Sequence, residues 1–177
     1  MNIGIIRTAV KADRFKLKEH IEETGVQVLH TIDQATNPPS LIFFGNDDQV
    51  LSAFKKADEL GSDYTKNLTH MRDINPKLVQ IIKEQRKFIR STQAMAIGIF
   101  ETFGPEAILA SANSVLLFDD IDMIEIQLAA SPMVKSLFVI AGQSDIIEKA
   151  FDSAKVICQS THFSIPGWVQ SPDWRSS

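Results

Sequence analysis

The sequence predicts an α+β protein made of two tandem units, each an antiparallel sheet with helices on one face. Three observations carry this. A short block recurs: Ile3-Gly4-Ile5-Ile6-Arg7-Thr8 returns as Ile97-Gly98-Ile99-Phe100-Glu101-Thr102, an offset of 94 residues. A second block recurs in the same order: Gly45, Asp48, Ala53, Phe54 and Ala57 match Gly142, Asp145, Ala150, Phe151 and Ala154, an offset of 97 residues. Two ordered blocks at nearly one offset mark an internal repeat. Third, each half runs strand, helix, strand, strand, helix, with a short closing strand, which is an α+β layer order.

Each element has its own local reason. The first strand of each copy is an apolar run, near residues 2–8 and 95–102. In the second copy Pro105 opens the helix that follows, because its missing N–H would be unbonded there in any case. Ile108, Leu109, Ala112, Val115 and Leu116 then recur at helical spacing. In the first copy Phe15, Leu17 and Ile21 form a weaker stripe on a more charged helix. Two strands come next, Val26–Ile32 and Leu41–Phe44 in copy one, and Ile121–Leu128 and Leu137–Ile140 in copy two, with imperfect alternation from Met123 to Leu128. Asp48 and Asp145 stand where a carboxylate caps the second helix of each copy. Val50, Leu51, Phe54 and Ala57 give one helix its apolar face, and Ile146, Ile147, Ala150 and Phe151 the other.

The expected divisions are a first domain over 1–72, a linker over 73–92, a second domain over 93–165 and a tail over 166–177. The linker opens on Asn75-Pro76, a helix start, and continues with Leu78, Ile81, Ile82 and Phe88. Trp168 and Trp174 in the tail are expected to pack back on the body, since buried aromatic area ties down a terminus.

Composition narrows the function. The chain has 177 residues and a formal net charge of −4, with no Lys- or Arg-rich run, so a nucleic-acid partner is not expected. Lys16 and Lys18 among Glu19, Glu22 and Glu23 read as a solvated helix face. The start, MNIGIIRTAVKADRF, lacks the pattern of a signal peptide, and no apolar run approaches bilayer length. Cys158 is the only cysteine, so no intrachain disulfide is possible, which fits a reducing compartment. A cytoplasmic protein with no membrane partner is expected.

Chemistry is sparse. His20, His30, His70 and His162 are scattered, and no metal-protease, phosphate-loop or nucleophile-elbow pattern occurs. Asp119, Asp120, Asp122 and Glu125 lack the spacing and central Gly of a calcium loop and read as a solvated turn. Asp47-Asp48 reads as a helix cap, and Cys158, in an apolar segment, as a small buried hydrophobe. No catalytic set is expected, and no metal or cofactor.

The stretch AMAIGIFETFGPEAILASANSVL, followed after two strands by LFVIAGQSDIIEKAFDSA, resembles the bacterial microcompartment (BMC) shell domain. The features carrying the resemblance are Glu101-Thr102, Gly104, the small-residue helix from Ala107 to Ala112, Gly142 and Asp145. It covers residues 94–160, and residues 2–62 more faintly, with Arg7-Thr8 in place of Glu-Thr. The linker Asp73–Leu78 is similar to that of tandem-domain trimeric shell proteins, such as the minor one of propanediol-utilisation compartments.

The resemblance implies two tandem ferredoxin-like BMC domains and a homotrimer whose six domains form a pseudohexamer. It implies a structural, non-enzymatic tile that meets other shell proteins edge to edge in the cytoplasm and passes small metabolites through a central pore. By position, the pore would be lined by Asn37, Pro38 and Pro39 from copy one and Ser131, Pro132, Met133 and Val134 from copy two. From the residues alone these loops are tight strand connections, with Pro-Pro making a stiff rim.

Some family members hold an iron–sulfur cluster through a Cys at the pore. Thr31-Ile32-Asp33 stands in that place, so no cluster is expected, and Asp33 remains a candidate cation ligand. Family members also carry a Lys late in the first helix, where this chain has Glu22 or Glu23 and Leu117. Asn75-Pro76 and Ile165-Pro166 stand where the family makes further edge contacts. The same layer order also suits an oligomeric small-molecule-binding regulator on duplicated ferredoxin-like domains, or, with a pocket of titratable groups, an enzyme.

Overall fold

The computed structural model describes residues 1–8, 13–32, 40–60, 65–84, 96–129 and 135–160. The chain divides into two compact units, Met1–Lys83 and Glu84–Ser177. The first contains β1 (Asn2–Thr8), α1 (Asp13–Glu22), β2 (Gln27–Ile32), β3 (Ser40–Gly45), α2 (Asp47–Glu59), β4 (Thr65–Met71) and all but the last residue of α3 (Pro76–Glu84). The second contains β5 (Ala96–Phe103), α4 (Pro105–Val115), β6 (Ile121–Gln127), β7 (Lys135–Gly142) and α5 (Ser144–Ser160). Strand order is β2-β3-β1-β4 in the first sheet and β5-β7-β6 in the second, and every pairing is antiparallel. The sheets thus follow one plan: β1 corresponds to β5, β2 to β6 and β3 to β7.

In the first unit Ile6, Leu17, Ile21, Val26, Leu41, Phe43, Val50, Ala53 and Ala57 form a buried core between the sheet and the pair α1 and α2. Burying one such side chain contributes about 1.5–3 kcal/mol. Gly4 makes this packing possible. It lies opposite Phe43 in the β1–β3 register, and the Phe43 ring occupies the space its side chain would fill. Gly98 does the same for the second unit: a Cβ there would lie 2.5 Å from the Phe151 ring and 2.8 Å from Ile147. Phe100 stacks on Phe138 at 5.1 Å, and Phe151 tilts against Phe100 at 5.8 Å.

Helix ends follow sequence chemistry with one shift. Asn46, not Asp48, caps α2: its side chain accepts from the Gln49 N–H, and the Gln49 side chain accepts from the Asn46 N–H, each at 2.9 Å. The reciprocal pair satisfies two donors that a lone carboxylate would not. Pro105 is the first residue of α4, after Gly104 with φ 80°. Ile108, Leu109, Ala112, Val115 and Leu116 are all buried. Among the described side chains of α1, Leu17 and Ile21 are the buried ones, and Phe15 is 63% exposed. In α2 Leu51 is exposed and Ala53 is buried instead, so the inward stripe runs Val50, Ala53, Ala57. In α5 the fully buried positions are Ala150, Ala154 and Cys158, while Ile146 and Phe151 are only half-buried.

The first sheet is covered on both faces. Ile3, Ile5 and Ile42 point away from α1 and α2, yet all are fully buried. The last turn of α3 is fastened to that outer face. Lys83 Nζ lies 4.1 Å from the Phe44 ring centroid and donates to Gln27 Oε1 at 2.7 Å. Leu78, Val79, Ile81 and Ile82 of α3 are buried.

Replacing Gly98 with Ala forces Phe151 and Ile147 off the strand, and overpacking of this kind costs about 1–3 kcal/mol. A lowered denaturant midpoint for the Gly98→Ala variant is the expected result, with the slope of the transition unchanged.

Candidate functional site

The two loops that join the second and third strands of each unit are the candidate site. Asn37, Pro38, Pro39 and Asp33 in the first, and Ser131, Pro132, Met133 and Val134 in the second, lie outside the described residues. The strand ends that carry them are described. β2 and β3 remain paired up to Ile32 opposite Ser40, and β6 and β7 up to Gln127 opposite Leu137. Seven residues separate the strands in each unit, 33–39 and 128–134.

The loop bases are held differently. In the second unit the buried Ser136 hydroxyl accepts from the Ala129 N–H at 2.8 Å, which ties the two arms together. Beside it, Lys135 Nζ donates to Glu101 Oε2 at 2.8 Å. In the first unit Ser40 is likewise buried, opposite Arg7 of β1. Arg7 and Glu101 are repeat partners of opposite charge, and Glu101 is offset by Lys135.

The position late in the first helix also differs between units. Glu23, just after α1, forms an ion pair with Lys56 of α2. The hydrogen bond from Lys56, reinforced by its charge, holds the Glu23 carboxyl below the usual carboxylate range. Leu117, just after α4, is 74% exposed. Neither place presents a free lysine: one acidic group is engaged within its own unit, and the other position is apolar.

A second polar cluster was invisible in sequence. Asp47 Oδ1 accepts from Asn2 Nδ2 at 2.8 Å and lies 3.3 Å from both His70 Nε2 and Arg72 Nε. The His70 contact is too far off line to be a hydrogen bond and becomes an ion pair only when the ring is protonated. The other side of the His70 ring meets Phe54 edge-on at 5.9 Å. The cluster fastens the start of α2 to the ends of β1 and β4. Its members lie up to 70 positions apart, so only the strand pairing reveals them.

Cys158 is buried, with Sγ 3.0 Å from Ser111 Oγ between α5 and α4. Asp119, Asp120 and Asp122 are exposed and Glu125 is half-buried. Among the described residues no group of three or more His, Cys, Asp or Glu side chains is placed to hold a metal ion. No described helix is long and apolar enough to cross a membrane.

No protein-family model matches the sequence, and no curated protein does. Solved structures do match. A microcompartment protein from Desulfitobacterium hafniense superposes with a TM-score of 0.83 at 15% identity, over 97% of this chain and 94% of that one. The fold is that of a microcompartment protein. A double-ringed trimeric shell protein from the RMM microcompartment superposes with a TM-score of 0.60 at 12% identity, over 90% of this chain and 83% of that one.

Two substitutions test the local readings. Asp47→Ala leaves the buried Asn2 amide short of an acceptor, and a loss of about 1 kcal/mol is expected from urea unfolding. For Glu23 the sign follows from its lowered pKa. Its contribution is present above the unfolded-state pKa and is lost as pH falls through the folded-state value. The stability gap between the parent and Glu23→Gln therefore closes on acidification, which unfolding midpoints across a pH series will read.

Proposed function

We propose that the chain is a structural tile of a bacterial microcompartment shell, of the tandem-domain trimeric type. Three copies supply six domains around one axis and form a pseudohexamer. The tile meets other shell proteins edge to edge in the cytoplasm. Asn37, Pro38 and Pro39, with Ser131, Pro132, Met133 and Val134, line its central pore, through which small metabolites pass.

The observation that carries this reading is the fold likeness to a microcompartment protein across nearly the whole of both chains. Agreement over so much of the chain includes both units and not one alone. A second neighbour is itself described as a trimeric shell protein.

The deciding experiment is the solution mass by light scattering, with the same sample viewed by electron microscopy. A mass of three times the 19.7 kDa chain is expected, with layers or tubes forming alone or with a second tile. A stable monomer or dimer that never forms layers would overturn the proposal.

A further inference from the structure

We draw no further inference here: the strongest candidate, the apolar outer face of the second unit's sheet, where Ile97 and Ile99 are 43% and 37% exposed, carries none because nothing in the structure shows what covers it.

Discussion

Each unit depends on a bare stretch of backbone at the middle of its central strand. Gly4 and Gly98 have no side chain, and an aromatic ring lies in the vacated space. The helices approach their sheet closely only because this happens, and that approach desolvates the rest of the core. The two units use the space differently. In the first, Phe43 from the neighbouring strand fills it, and Phe54 of α2 packs on Phe43 at 5.8 Å. In the second, the position equivalent to Phe43 is Ile140, and Phe151 of α5 comes down onto the glycine itself. The volume lost at Ile140 reappears at Phe100 and Phe138, which stand where the first unit has Ile6 and Leu41. Tightly packed interiors conserve total volume more strictly than the site at which it is placed.

That exchange explains how much was legible beforehand. The repeat was visible because the glycine, the helix-capping region and the small residues of the second helix answer to backbone approach, which tolerates few residue types. Strand positions and most inward faces followed from periodicity, as at Leu17, Ile21 and the run from Ile108 to Leu116. The errors came where the wrong neighbour was assumed. Asp48 had cap chemistry, but Asn46 and Gln49 together satisfy two donors where one carboxylate satisfies one. Phe15 and Leu51 are apolar, yet they face outward, because hydrophobicity says only that a residue tolerates burial. The Asp47 cluster was beyond reach. Its members meet only after β1 and β4 pair, and no local pattern encodes that meeting. The candidate pore residues came from resemblance alone, and the strand ends that carry them are where the folded chain bears on them.

The loop bases show what two copies in one chain permit. A protein that repeats one subunit around an axis must repeat every charge. A duplicated chain need not. Arg7 and Glu101 are repeat partners of opposite sign, and only the second has a lysine, Lys135, paired across the base of its loop. The late-helix position diverged as well, to an acid engaged by Lys56 in one unit and an exposed leucine in the other. Surface charge and exposed apolar groups decide which neighbours an edge accepts. Such divergence makes the two units chemically unequal at these positions while the backbone plan beneath them stays the same.

The outer faces of the sheets follow the same logic from the opposite direction. Ile-Gly-Ile is kept in both copies, although one pair of isoleucines is fully buried and the other is not. The glycine between them is held by the core, but nothing in that core requires isoleucine on the far side of the strand. In the first unit the requirement comes from the closed outer face, to which α3 is fastened through Lys83, Phe44 and Gln27. Solvent supplies no such requirement in the second unit, where a polar residue would serve β5 equally well and resist aggregation better. The same Ile-Gly-Ile block therefore serves two environments, a closed outer face in the first unit and a partly exposed one among the described residues of the second.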